Sequence, residues 1–256
     1  VLKADGTVEV VGETAITESI PEGSAAILQT GDSRYHSVAF DPNTASKFVV
    51  SYRDAGNSGY GTAIVGTVSG TSISFGSEYV FNSASIYFTS VAFDSNTASK
   101  LVIAYRDGGN ANNGTAIVGT ISGTTLSFGT AVVYNTGTSD YPSVSFDPNT
   151  AGKFVVAYRD GGNSNSGTAI VGTVSGTSIS FGTEVVFNSA STQDGSLSFD
   201  PNTAGKFVIA YYDGGSTIGE AVVGTVSGTT LSFGTAVVFN SGISNKTSAA
   251  FDPNTA

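Results

Sequence analysis

The apolar positions of the chain come in short runs that recur at a fixed distance. In the copy that begins at residue 37, residues 37–40 lead into an Asp-Pro-Asn-Thr turn, and residues 47–52, rich in Phe and Val, follow. A Gly/Asn loop then leads to residues 62–69, a Ser-Gly-Thr turn reverses the chain, and residues 72–81 complete the set. Gly, Pro, Asn, Asp and Ser between apolar runs of this length predict four β-strands joined by tight turns. No segment carries the helical period of about 3.6 residues. The second and third runs, Phe-Val-Val-Ser-Tyr and Ala-Ile-Val-Gly-Thr-Val, are almost continuously apolar. Strands covered on both faces read this way, so sheets are expected to stack on sheets.

The string F-D-P-N-T-A starts at Phe40, Phe146, Phe199 and Phe251, with the variant F-D-S-N-T-A at Phe93, at spacings of 53, 53, 53 and 52 residues. The segment G-T-A-I-V-G-T-[VI]-S-G starts at Gly61, Gly114 and Gly167, with G-E-A-V-V-G-T-V-S-G at Gly219, and Val8-Glu-Val-Val-Gly-Glu is a worn fifth copy. Four-stranded repeats of about 40 to 50 residues are the mark of β-propeller blades. The expectation is an all-β, five-bladed β-propeller of antiparallel blades, with about 20 strands, as one domain over residues 1–256. Its repeats start near residues 37, 90, 143 and 196. The fifth blade combines residues 248–256 with residues 1–36, pairing 248–251 beside 1–5 and matching Asp5 with Asp54. The N- and C-terminal strands thus share one blade and close the ring, which removes unpaired sheet edges.

Near-identical copies in one chain show where change is concentrated. Residues 37–89 and 143–195 differ at 12 of 53 positions. Four of these are contiguous, Ile86-Tyr-Phe-Thr against Thr192-Gln-Asp-Gly, and three fall in the Gly/Asn loop. In a four-stranded antiparallel blade, the loop between strands two and three and the crossover to the next blade emerge at the same end. One face of the disc is therefore expected to carry the constant Asp-Pro-Asn-Thr and Ser-Gly-Thr turns. The other carries variable crossovers around Tyr35 and His36, Tyr87 and Phe88, Asp140 and Tyr141, Gln193 and Asp194, and Asn245 and Lys246. Exposed rings and polar groups on a rigid scaffold suit a sugar or a protein surface. Tyr35, Phe88 and Tyr141 share one repeat position, either as stacking platforms or as a hydrophobic lid over the crossover.

A second set is the Tyr-Arg-Asp motif, giving Arg53 and Asp54, Arg106 and Asp107, Arg159 and Asp160, and, with Arg replaced, Tyr212 and Asp213. These residues are candidates to hold hydroxyls or a carboxylate, and equally to pair with neighbouring blades or cap the Gly-Gly-Asn loop. The Asp-Pro-Asn-Thr turn reads as structural, since Pro presets the turn and Asp accepts backbone N–H groups.

Composition narrows the chemistry. With no Cys and one His there is no disulfide, no thiol catalysis and little scope for zinc, so no metal or cofactor is expected. Asp54 and Asn57 match no known calcium loop. The net charge of -10 opposes nucleic-acid binding. No apolar run approaches the roughly 18 residues that span a bilayer, so no membrane insertion is expected. The chain begins at Val1 rather than at Met, which predicts processing or membership of a longer chain, with a homo-oligomer as a further option.

A glycosidase needs two carboxylates in unlike environments, about 5 to 10 Å apart. Here the acids recur with the repeat, Glu78 and Glu184 read as solubility charges on an outer edge, and His36 reads as a surface residue. No catalytic residue is expected. The preferred function is a non-enzymatic module that binds a cell-surface glycan or protein receptor through the variable face. A structural subunit of an extracellular filament or virion is the alternative, with a glycosidase third.

The wording F-D-P-N-T-A-G-K-F-V-V-A-Y-R-D from Phe146, followed by G-T-A-I-V-G-T-V-S-G-T-S-I-S-F-G-T-E-V-V-F-N-S from Gly167, resembles repeat-bearing tail-fibre and other virion surface proteins of marine bacteriophages and related metagenomic sequences. The resemblance runs from about residue 8 onward; residues 1–24 depart from it. It implies adhesion or host recognition at an extracellular or virion surface and transfers no catalytic residue.

Overall fold

The computed structural model describes residues 26–252 of the 256. They form one antiparallel sheet of 16 strands with a single short helical turn at Ala55–Asn57. The first four-stranded unit contains β1 (Ser33–Phe40), β2 (Lys47–Asp54), β3 (Tyr60–Ser69) and the first half of β4 (Ser72–Phe93). The second half of β4 is the inner strand of the next unit, followed by β5 (Lys100–Asp107), β6 (Asn113–Ser122), β7 (Thr125–Phe128) and the start of β8 (Val132–Phe146). The third unit takes the end of β8 with β9 (Lys153–Asp160), β10 (Ser166–Ser175), β11 (Ser178–Phe181) and the start of β12 (Val185–Phe199). The fourth takes the end of β12 with β13 (Lys206–Asp213), β14 (Ile218–Ser227), β15 (Thr230–Phe233) and β16 (Val237–Asn240). No helix among the described residues is long and apolar enough to cross a membrane.

The turns form for local reasons. Ser69 pairs with Ser72 across a two-residue hairpin whose first loop residue, Gly70, has φ +59°, the geometry that suits a right-twisted pair of strands. Each Asp-Pro/Ser-Asn-Thr turn is closed by its Asp, as when Asp147 accepts the N–H of Asn149 at 2.9 Å. The second oxygen of that carboxylate reaches the next unit and accepts the N–H of Gly205 at 3.0 Å, and Asp94 holds Gly152 in the same way at 2.9 Å. These turns stitch neighbouring units along the plain face.

Both faces of the middle strands are buried, as the continuous apolar runs require. One core cluster joins Val49 and Val65 of the first unit to Leu101, Ile103 and Tyr105 of the second; two further clusters repeat this at the following boundaries. Gly172 makes room for the Phe154 ring, which an added Cβ would meet at 2.1 Å. Nearer the middle of the molecule, the hydroxyls of Ser37, Ser90, Ser143 and Ser196 accept backbone N–H groups of Val91, Val144, Leu197 and Ala249, all at 3.0 to 3.1 Å.

Several expectations change. The crossovers are not open loops, because β4, β8 and β12 run through them from one unit to the next. The sheet path starts at β1 and ends at β15, with β16 beside β14, and does not close on itself among the described residues. Residues 1–25, which hold Asp5 and the expected remainder of the fifth blade, lie outside the described residues, as do 253–256. Residues 248–251, expected as a strand, are not one, and their expected partner, residues 1–5, lies outside the described residues. Ala249 nevertheless continues the serine stitch. At the other end, Gln29 donates to Asp54 at 2.7 Å, 25 residues on, as Asn135 does to Asp160 at 3.0 Å and Asn188 to Asp213 at 3.3 Å, also 25 residues on.

Candidate binding site at the crossover face

Four of the crossovers are β-bulges. Arg34 pairs with Arg53 and Ser37 with Ser51, so Tyr35 and His36 are left unpaired in the ladder. The same break separates Tyr87 from Ser90, Asp140 from Ser143 and Gln193 from Ser196. Bulges re-aim side chains, and here the first bulged residue of each has a left-handed backbone: Tyr35 at φ 55°, Phe88 at 49°, Tyr141 at 51° and Asp194 at 51°. Lys246, at the equivalent repeat position but outside any strand, shares this backbone at 58°. Gly is the usual occupant of such a position, and an aromatic residue there is strained.

These five residues converge. Together with His36, Thr89, Pro142, Gly195 and Thr247, they line one open cavity of about 300 Å³. Three sides are aromatic: the Tyr35 and Phe88 ring centroids lie 4.7 Å apart and those of Phe88 and Tyr141 4.6 Å apart, both tilted. The remaining side is charged. Lys246 Nζ donates to Asp194 at 2.9 Å and lies 5.8 Å from the Tyr141 ring centroid. Asp194 holds the lysine charged by raising its pKa above the ordinary value. Two threonines pin the bulges from below: Thr89 donates to the Tyr35 carbonyl at 3.0 Å, and Thr247 donates to the carbonyls of Asp194 and Ala210.

The other candidates lie around the cavity rather than in it. Tyr87 is sandwiched between guanidinium groups, 5.5 Å from Arg53 and 4.7 Å from Arg106. Asp140 is buried and clamped by Arg106 at 2.6 Å and Arg159 at 2.7 Å. Gln193 stands opposite Tyr212 in the ladder, and Asn245 is exposed. Asp54, Asp107, Asp160 and Asp213 accept backbone N–H groups of Asn57, Gly109, Gly162 and Gly215, so they cap their loops. His36 is exposed, hydrogen-bonded to Ser33 at 2.9 Å and stacked 6.0 Å from the Tyr52 ring. No group of three His, Asp or Glu residues among the described residues is placed to hold a metal ion.

Glu78 and Glu184 are exposed, as expected of outer charges, and have a further role. They are acceptors for the tyrosines of the Tyr-Arg-Asp motif: Tyr52 donates to Glu78, and Tyr158 donates to Glu184 at 2.7 Å. In the fourth unit Ala236 takes the glutamate position, and Tyr211 donates instead to Glu220 on the adjacent strand at 2.9 Å. Burial first, then these carboxylates, push the tyrosine hydroxyls well above their ordinary pKa. No sequence signal marks this pairing, since the second unit keeps Tyr105 with Thr115 and Ala131 at the two glutamate positions.

No protein-family model and no curated protein matches the chain. Solved structures do match. A Hadza microbial sialidase aligns at TM-score 0.53 and 9% identity over 78% of this chain and 45% of its own. An exo-β-1,3-galactanase from Phanerochaete chrysosporium, in a structure with β-1,3-galactotriose, gives 0.51 and 11% over 81% and 49%. The Aleuria aurantia lectin, with α-methyl-L-fucoside bound, gives 0.50 and 11% over 80% and 61%. The chain thus spans between 45% and 61% of the length of these structures. At such identities the likeness establishes the fold alone, an all-β arrangement like that of β-propellers.

Proposed function

We propose that this chain is a non-enzymatic module on a five-bladed propeller that recognises a cell-surface glycan through its crossover face. The observation that carries the reading is the convergence of all five equivalent crossover positions on one cavity, with rings on one side and a charged pair on the other. Aromatic faces accept the C–H face of a pyranose, and Asp and Lys supply directional bonds to hydroxyls. Two of the structural neighbours were solved with sugars bound, which agrees with this reading without carrying it.

Closure of the ring rests on burial. Val91 and Phe93 of the second unit are 6% and 8% exposed, whereas their counterparts Val38 and Phe40 in the first unit are each 60% exposed. At the opposite end Val223 is 47% exposed, where Val65, Val118 and Val171 are fully buried. Two apolar sheet faces therefore flank the place of a fifth blade, for which residues 1–25 carry the worn repeat copy, and Gln29 already occupies the repeat position of Asn135 and Asn188. The same faces support a second reading: a chain whose own ends do not close would bury them against the next copy, and repeated association of that kind builds a filament.

The cavity lining contains one carboxylate, Asp194, already paired with Lys246, where glycoside hydrolysis needs two. An adhesion role at a cell or virion exterior follows the resemblance of the repeat wording. Replacing Tyr35, Phe88 and Tyr141 together with Ala abolishes binding on a glycan array, while replacing Thr71, Thr124 and Thr177 in the opposite-face turns leaves it unchanged. Equal binding by both variants would refute the assignment to the crossover face.

A further inference from the structure

The sequence pattern suggests five shallow sites, one per crossover, acting together. The geometry points elsewhere: we infer that the chain holds a single ligand, the uncharged end of a saccharide chain, seated in the shared mouth with its apolar ring face against Tyr35, Phe88 and Tyr141 and a polar edge against Asp194 and Lys246. This inference rests on the proposed sugar-binding function and deepens it.

The five crossover residues share one cavity, so a ligand that fills it excludes a second there. Lys246 also borders a separate depression with Ala210, Phe239 and Ser244, to which none of the other four contributes. At about 300 Å³ the shared cavity stands at the small end of ligand sites, which matches one or two sugar rings rather than the flank of a polymer.

The two halves of the mouth are unlike, although they arise from one repeat position. Phe88 lies between Tyr35 and Tyr141, so the three rings form a continuous apolar wall. Beside it, Lys246 offers ammonium donors and Asp194 offers carboxylate acceptors, and the pair cancels its own charge. A donor beside an acceptor matches a ligand edge that itself carries both, such as two hydroxyls on adjacent carbons or an acetamido group. A charged sugar fits worse: a uronate meets Asp194, and a free amino sugar meets Lys246. The lysine side chain is 80% exposed and adds little to folding, which leaves it for recognition, whereas Asp194, 13% exposed, also accepts the Lys246 N–H at 3.3 Å and so positions the lysine.

All five positions share the left-handed backbone, and the strain is held by Thr89 and Thr247 beneath and by the Asp140 clamp beside them. Strained backbone of this kind persists where its surroundings fix it, and it clusters at ligand sites.

The test is saturation-transfer NMR with calorimetry on the whole chain. The probes are the methyl pyranosides of glucose and galactose, N-acetylglucosamine and N-acetylgalactosamine, with glucuronate and glucosamine as charged counterparts. At least one uncharged probe binds, with one site per chain, and the charged counterparts bind weaker. Preference for methyl pyranosides assigns the polar edge to vicinal hydroxyls, and preference for N-acetyl sugars assigns it to the acetamido group. Asp194→Asn leaves Lys246 uncompensated, so it weakens the uncharged sugar about tenfold and gains affinity for glucuronate. Several sites per chain, glucuronate bound by the unmodified chain as well as the neutral sugars, or unchanged selectivity in a folded Asp194→Asn variant would overturn the single neutral-end site while leaving sugar binding standing. Absence of binding to every probe and to a full glycan array would remove the sugar-binding reading itself.

Discussion

A left-handed backbone costs an L-residue about 1–2 kcal/mol, yet an aromatic residue adopts it at Tyr35, Phe88 and Tyr141. The expense makes sense where the ring has a use that Gly lacks. Tyr141→Gly removes the strain but loses the ring contact with Phe88, worth about 0.5–1.5 kcal/mol, and the cation–π contacts with Arg159 and Lys246, worth about 0.5–1 kcal/mol each, so stability falls by about 1 kcal/mol. Thermal melting then drops by only a few degrees while sugar binding falls. A loss of several kcal/mol would instead show that the ring is a packing lid. The shared aromatic position was legible in the sequence because the repeat aligns it with itself. Its conformation was not, since bulky residues are the last expected in that region, and convergence on one cavity depends on how the repeats curve in space.

At the scale of the strand, the alternation of turn signals and apolar runs located the strands of the four described units, and the doubly buried middle strands followed from their lack of polar positions. The outer parts were less legible. Continuous strands through Tyr87-Phe-Thr or Asp140-Tyr-Pro look like loops when read for polarity alone, because a bulge places polar and aromatic residues inside a ladder. The Tyr-Arg-Asp motif was equally ambiguous. Its Asp caps the following loop and its Tyr seeks a carboxylate on an outer strand, contacts that no spacing reveals. Removing that carboxylate leaves a buried hydroxyl unpaired, so Glu184→Ala destabilises by about 1–3 kcal/mol. Adding Tyr158→Phe to Glu184→Ala recovers much of the loss, and a denaturant double-mutant cycle reads the coupling. Purely additive effects would mean that Glu184 is only a solubility charge.

For the whole molecule, the near-constant repeat makes the boundaries between the described units near copies of one another: an apolar face on an apolar face, a Ser hydroxyl to the next inner strand and, at the second and third boundaries, an Asp carboxylate to the next unit's Gly. That regularity makes the two exposed faces at the ends informative, because Val38, Phe40 and Val223 differ from their counterparts only in lacking a cover. The five-fold period was legible in the F-D-P-N-T-A spacing, whereas the segment proposed to complete the fifth unit is worn and carries the least pattern. Under the proposed closure, function scales with it, since the mouth takes one crossover residue from each repeat and a ring would fix their mutual positions. The most direct measurement is a crystal structure of the whole chain grown with the uncharged saccharide that it binds best. The account predicts one sugar per chain between the Tyr35, Phe88 and Tyr141 rings and the Asp194–Lys246 pair, with residues 1–25 of the same chain covering Val38, Phe40 and Val223. Sugar seated between units at the rim, or those faces covered by a neighbouring chain in an open array, would contradict it.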